Sequence, residues 1–238
     1  YVVVGYNGLL VISTCSYIVA LGLYANENGT TCNGAIAIGH GALKTDTDGS
    51  YAVAIGFEAL KSQTTSTSMV AIGYRAGHNI TTGSNNTLLG YATGYSMTEA
   101  ANNTAVGNSA LYAITDAGHR NTAVGASAGG ALTSGDDTTA VGYNGLGALT
   151  TGERNTVVGS YAGDGITTTS NNVAIGYAAL TDVSNSGAQN TAVGAYAGAE
   201  LEGGSNNTLM GYYSGVYFTT GSENCAYGRD SLRTGTGT

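Results

Sequence analysis

The sequence has no proline, no tryptophan, two phenylalanines, three cysteines and only seven basic residues among 238. Each scarcity excludes something. Without proline, and with glycine not recurring at every third residue, a collagen triple helix is excluded. Seven Lys and Arg against fifteen Asp and Glu give a formal charge of −8, too little positive charge to neutralise a nucleic-acid backbone. Three cysteines are too few for a disulfide framework. The 42% hydrophobic and 9% charged content argues against disorder of the highly charged kind.

Chemistry-bearing motifs are equally scarce. His40, His78 and His119 share no spacing with Cys or carboxylate partners that would make a metal site. Asp136-Asp137 reads as a turn pair without the ligand spacing of a calcium loop. There is no Walker-type Gly-Lys-Ser/Thr and no nucleophile elbow. No catalytic residue, cofactor or metal is assigned, and the chain is expected not to be an enzyme.

What the sequence does have is a repeat. One unit, Asn-Thr-Ala-Val-Gly followed by two variable residues and Ala-Leu or Ala-Gly, recurs from end to end. Its anchor glycines are Gly5, Gly22, Gly39, Gly56, Gly73, Gly90, Gly107, Gly125, Gly142, Gly159, Gly176, Gly194, Gly211 and Gly228. Eleven of the thirteen steps are 17 residues; Gly107 to Gly125 and Gly176 to Gly194 are 18. Such a period is foreign to Gly-rich low complexity, because each column has its own chemistry.

The residue one before the anchor is Val, Ile, Leu or Met in every copy but the last, which has Tyr227. Two before it stands Ala, Val or Leu; three before it stand Thr, Val or Ile, with Cys225 last. Three after it is always small, and four after it is Leu or Gly except at Asn26. Runs such as Thr-Ala-Val, closed by Gly, predict strands of three to five residues. Stretches such as Thr81 to Asn86 predict turns. Seventeen residues cannot hold a βαβ crossover. They fit one coil of an all-β parallel β-solenoid (β-roll) of about 14 coils, each with two short strands and two turns. Stacking at about 4.8 Å per coil predicts a single domain over 1–238, a rod of roughly 60 Å.

Side chains on a strand alternate between faces, yet the minus-one and minus-two columns are both apolar. One fills the coil; the other needs a cover from outside. Lateral association of chains supplies it, and a three-fold bundle would bury the second face around its axis. The alternative is a wider monomeric solenoid with an apolar stripe in water.

Two zones differ. At minus four, the first five copies carry Tyr1, Ile18, Ala35, Ala52 and Met69. The remaining copies carry Asn86, Asn103, Asn121, Thr138, Asn155, Asn172, Asn190, Asn207 and Asn224. Stacked Asn amides can hydrogen-bond along a ladder and satisfy a buried turn. Residues 1–80 have net charge −1 and residues 81–238 have −7. Coils 1–80 are therefore expected to pack in the assembly, the Asn/Thr-laddered coils 81–228 to face solvent, and 229–238 to form a C-terminal tail.

The first 26 residues are uncharged, but Gly5 and Gly22 keep the register and Asn7, Ser13, Thr14 and Ser16 interrupt the apolar run. They read as two coils and not as a membrane span or signal peptide. The chain opens on Tyr1, as a processed chain or a segment would, and both ends lack a cap. Uncapped coils invite pairing, so end-to-end polymerisation or a longer fibre is expected.

Cys15 and Cys32 each lie seven residues before an anchor in adjacent coils. Ladder geometry puts their α-carbons about 5 Å apart, so they are a candidate disulfide, with two stacked free thiols as the alternative. A bridge would fit an oxidising, extracellular setting. Cys225 reads as a buried small hydrophobe on a strand. Tyr6, Phe57, Tyr74, Tyr91, Tyr143, Tyr177 and Tyr212 follow their anchors directly. They form a candidate aromatic surface track for glycans, or rings stacked between coils or chains, the reading preferred here. The sequons at Asn28, Asn79, Asn85, Asn102 and Asn206 are expected by chance in a chain so rich in Asn and Thr.

The units Asn103-Thr104-Ala105-Val106-Gly107 and Asn172-Val173-Ala174-Ile175-Gly176-Tyr177-Ala178-Ala179-Leu180 resemble the 17-residue repeats of phage and bacterial tail-fibre-like proteins. The unit is also similar to the head repeats of trimeric autotransporter adhesins, whose period is usually shorter. The resemblance covers the whole chain. It implies a left-handed, trimeric β-roll at a cell or virion surface. No intramolecular chaperone, membrane anchor or coiled-coil stalk of those families stands in this sequence, and no family binding residue carries over. The expected function is an extracellular structural fibre or filament giving reach and surface attachment. The alternatives are a receptor- or glycan-binding adhesin shaft, and an ice-binding solenoid, for which the Thr array is half missing.

Overall fold

The computed structural model describes residues 1–9, 14–181 and 187–233. Ser13 and the closing Thr-Gly-Thr-Gly-Thr of the expected tail lie outside the described residues. Among the described residues there is no helix, and all fourteen strands are three residues long and end one residue before an anchor glycine. The chain is a β-solenoid with one strand per coil, resolved into two compact units, Tyr1–Arg120 and Asn121–Thr238.

The first unit holds β1 (Val2–Val4), β2 (Val19–Leu21), β3 (Ile36–Ile38), β4 (Val53–Ile55), β5 (Val70–Ile72), β6 (Thr87–Leu89) and β7 (Thr104–Val106). The second holds β8 (Thr122–Val124), β9 (Thr139–Val141), β10 (Thr156–Val158), β11 (Val173–Ile175), β12 (Thr191–Val193), β13 (Thr208–Met210) and β14 (Cys225–Tyr227). Within each unit every strand pairs in parallel with the next, in register: Val53 faces Val70, and Thr191 faces Thr208. The two strands per coil expected from sequence reduce to one. The second is only a run of single bridges, Ser16–Asn33–Ser50–Thr67. The residue after each of these has a left-handed backbone (Tyr17 φ 57°, Gly34 65°, Tyr51 58°, Ser68 56°), which cuts the extended run to one residue.

Three corners per coil use that left-handed conformation: two after the anchor, four after it and five before it. The plus-four corner explains its Leu-or-Gly column. Left-handed backbone favours Gly and costs an L-residue about 1–2 kcal/mol. Leu43 (φ 52°), Leu60 (48°) and Leu146 (51°) adopt it while fully buried. Burying a leucine side chain offsets that cost by about 1.5–3 kcal/mol. Where the column has Gly, a neighbouring coil fills the space. A Cβ on Gly77 would lie 2.8 Å from Leu60 and 2.9 Å from Leu88; on Gly163, 2.9 Å from Leu146 and from Val157.

The anchor must be glycine for two reasons. Its φ lies between 129° and 144° in the first thirteen copies, a region open essentially to Gly alone. A Cβ on Gly56 would sit 2.2 Å from the carbonyl oxygen of Gly73, and the same collision recurs along the column.

The minus-two column points inward: Ala20, Ala54, Leu88, Ala123, Val157 and Leu209 are fully buried. Asn86, Asn103, Asn121, Asn155, Asn172, Asn190 and Asn207 are buried beside it. Each amide bonds in two directions. Asn190 Oδ1 accepts from the Asn207 backbone N–H at 3.0 Å, while Asn190 Nδ2 donates to Gly204 O at 2.8 Å. Asn86 and Asn103 repeat this in the first unit (2.9 and 2.8 Å). Asn224 closes the second unit's ladder on Asn207. Below Asn86 the column turns apolar, and the Asn86 N–H meets Met69 Sδ at 3.4 Å.

The 18-residue step after Gly107 places its extra residue in a bend. Ile114 is fully buried and Gly118 accepts from Asn103 Nδ2 at 2.9 Å, so both keep their interior roles. Thr115, Asp116 and Ala117 between them are exposed.

Candidate functional site

Because minus two points inward, minus one and minus three both point outward. In β2–β5 these columns are Val19, Ile36, Val53, Val70 and Leu21, Ile38, Ile55, Ile72, all half-exposed. That is eight aliphatic side chains on one parallel sheet face, with no polar group among them. The residues flanking the strands there are Tyr17, Gly34, Tyr51 and Ser68 on one side and Leu23, His40, Phe57 and Tyr74 on the other. None carries a fixed charge, and Tyr17 and Tyr51 are among the most exposed large side chains of the chain (88% and 69%).

In the second unit the same outward columns read Thr122, Thr139, Thr156, Val173, Thr191, Thr208 and Val124, Val141, Val158, Ile175, Val193, Met210. Hydroxyls alternate with aliphatics, and the flanking column brings Asp137, Arg154 and Glu223. Cys225 takes the minus-three place in β14 and is exposed, not the buried hydrophobe expected, because that column faces out.

The aromatic track divides along the same line. In the first unit His40, Phe57, Tyr74 and Tyr91 stack in sequence, with centroids 4.9, 5.3 and 5.1 Å apart and planes within 10°. A second stack, His78–Tyr95–Tyr112, stands beside it at 5.1 and 5.3 Å. Stacking spends ring faces on neighbouring rings, so edges and hydroxyls are what solvent meets. Tyr6 meets Tyr24 edge to face, with ring centroids 6.4 Å apart. In the second unit Tyr143, Tyr161, Tyr177 and Tyr196 meet edge to face at 5.3 to 6.1 Å. Tyr212 crosses Tyr213 at 63°. The partners two and five residues after the anchor were not singled out in sequence, although the same column reading exposes them.

Glu58 is a buried carboxylate met by Lys61 Nζ at 2.6 Å, Arg75 Nε at 2.8 Å and His78 Nε2 at 3.3 Å. Burial pushes its carboxyl up, but the Lys61 and Arg75 hydrogen bonds outweigh it and hold it below the usual range. Arg75 also lies over Tyr74, 5.1 Å from the ring centre. This knot ties two coils together beside the aromatic stacks.

The interior of the first coils is the other departure. Seven residues after the anchor, the described coils carry Ile80, Met97, Ile114, Leu132, Leu149, Ile166, Leu201 and Phe218, all buried. The second to fourth coils carry Gly29, Asp46 and Gln63 instead. Asp46 and Gln63 are fully buried together with Asn26, Cys32 and Ser66. Asp46 Oδ1 accepts from the Gly49 N–H at 2.8 Å, while Asp46 Oδ2, Gln63 Oε1 and Asn26 Oδ1 meet no donor. Burial is the main cause that raises the Asp46 carboxyl to about 6. Cys15 and Cys32 lie against this cluster as free thiols, Sγ to Sγ 2.9 Å.

Among the described residues no group of three or more metal-ligating His, Cys, Asp or Glu side chains forms, and there is no helix long and apolar enough to cross a membrane. No family model, curated protein or solved structure matches the chain.

Proposed function

We propose that this chain is a structural fibre element of a cell or virion exterior, which associates side by side through the outward face of β2–β5. The reading rests on one observation: eight aliphatic side chains on one sheet face, with no fixed charge among them or their flanking residues. A molecule of net charge −8 can approach its own copies only where like charges do not meet, and this face meets that condition. A left-handed roll in a three-fold bundle, the arrangement implied by the repeat resemblance, would turn three such faces toward one axis. Coils stacked in register give length without new sequence invention, which suits mechanical reach and surface attachment, and end-to-end joining would extend it.

Sedimentation velocity on the full chain tests the reading. A species of three times 23.7 kDa is expected at micromolar concentration. Ile38→Lys with Ile55→Lys should convert it to monomer with the β-sheet circular dichroism retained. A wild-type chain that stays monomeric at ~100 μM sinks the proposal.

A second reading, a receptor- or glycan-binding shaft, draws on the edge-to-face tyrosines Tyr143, Tyr161 and Tyr177, whose faces are less fully taken than those of the first unit. Glycan-array binding lost on Tyr177→Ala would favour it. The outward Thr column offers less for ice, since its partner column is Val, Ile and Met. Thermal hysteresis of the pure protein separates that reading.

A further inference from the structure

Cys15 and Cys32 occupy the same place in the first two coils, and the backbone holds them side by side. Thr14 N donates to Thr30 O at 2.9 Å, Ser16 N to Cys32 O at 3.2 Å, and Gly34 N to Ser16 O at 2.9 Å. This parallel ladder spaces equivalent α-carbons about 4.8 Å apart, inside the roughly 4.4–6.8 Å span that a disulfide bridges. The sulfurs already touch at 2.9 Å. Cys32 is fully buried and Cys15 is 4% exposed. The column continues as Gly49 and Ser66, so the two thiols have each other and no third sulfur. Gly29 leaves them room: a Cβ there would lie 2.9 Å from Cys32 Sγ.

We propose that Cys15 and Cys32 are a cross-linking site, oxidised to a disulfide that staples the first coil to the second. The oxidant is a small-molecule disulfide, RSSR. One cysteine thiolate attacks RSSR, forming a mixed disulfide and releasing RS⁻. The other thiolate attacks the protein sulfur of that mixed disulfide and releases the second RS⁻. Two protons from the cysteines go to the two leaving thiolates, so the protein loses two hydrogens and RSSR becomes two RSH. Burial, then the hydrogen bond with Cys15, pushes the Cys32 thiol up to about 12. Cys15, 4% exposed against a fully buried Cys32, is reached first as the coils open and is the entry point, and Cys32 resolves. The exchange takes place while the coils form or open, when RSSR can reach Cys15. The staple forms in a single chain, so it stands whether or not copies associate.

The third thiol, Cys225, is exposed and would scramble the readout. The test therefore uses the full chain with Cys225→Ser, refolded in oxidised glutathione. Glu27 lies between the two cysteines in sequence, and no Lys or Arg does. A Glu-specific protease applied after unfolding without reductant cuts between them. The expected result is a chain about 2 Da lighter than its reduced form. The fragments on either side of Glu27 should stay joined until reductant is added. Cys15→Ser in the same background should give separated fragments and one alkylatable thiol. Fragments that part without reductant, or a glutathione adduct left on Cys15 beside a free Cys32, overturn the proposal.

Discussion

The coils of β2–β5 and those of β8–β13 are built on one plan and present different things to the outside. Both place a small or aliphatic residue inward at minus two, Gly at the anchor and left-handed residues at three corners. They differ at minus three, Val or Ile against mostly Thr, and at minus four, apolar against mostly Asn. The winding is fixed by the first set of columns, and the second set is free to specialise. The coils of β2–β5 have a greasy exterior and a polar flaw inside. Those of β8–β13 have a mixed exterior and an interior stitched by amides.

The largest expected effect tests what the two units share. Gly56→Ala in the first and Gly142→Ala in the second should each cost about 4 kcal/mol or more, from backbone strain plus a Cβ driven into the next coil. Both should abolish cooperative urea unfolding of the unit concerned; tolerance of either substitution would break the shared plan.

Next come the interiors. Asn190→Ala strands the Asn207 N–H and Gly204 carbonyl and should cost about 2–4 kcal/mol. Ala52→Asn, the reciprocal change, should destabilise the first unit, since no neighbouring amide receives it there. If Ala52→Asn is neutral in urea titration, the contrast between ladders loses its meaning.

Asp46 sharpens the comparison through pH. Its folded carboxyl is raised to about 6, above the ordinary 3.8, so the folded state holds the proton more tightly than the unfolded one. Its contribution is present below the lower value and is lost as pH rises toward the higher. First-unit stability should fall by about 2–3 kcal/mol between pH 4 and 6. Asp46→Asn should flatten that dependence, and the second unit should not share it. Glu58 has the opposite sign, because its carboxyl is held low: its contribution is lost as pH falls. The smallest effect is Tyr74→Ala, about 1–3 kcal/mol from two lost ring stacks, read in a thermal melt.

The repeat period and the anchor column made the solenoid legible, because a 17-residue spacing admits few other shapes. The Asn column likewise announced a buried ladder, since amides repeated in register have few other uses. The missing second strand was not legible. The left-handed corner that ends it is taken by Gly34, Asn85, Asn102, Asp137, Asn171 and Asn206 in some coils, but by Tyr17, Tyr51 and Arg154 in others, so the column has no uniform turn signature. Where Tyr or Arg stands there, the corner is enforced by closure of the coil and not by local preference. The polar interior was visible in principle, in the column where Asp46 and Gln63 replace aliphatics. That column lies seven residues after the anchor, beyond the recurrent motif that ends four after it. The aromatic contacts of the second unit alternate two chain positions, Tyr143 and Tyr177 one after the anchor with Tyr161 and Tyr196 two after it, so one column holds only half of them.

The longer step after Gly107 has a consequence for how such a chain can change. Thr115 to Ala117 swell outward while Ile114 and Gly118 on either side hold their stations. Sequence length is thereby uncoupled from pitch at this one bend. A peptide grafted after Asp116 would ride as a surface tag, whereas the same graft inside a strand would derail every winding beyond it.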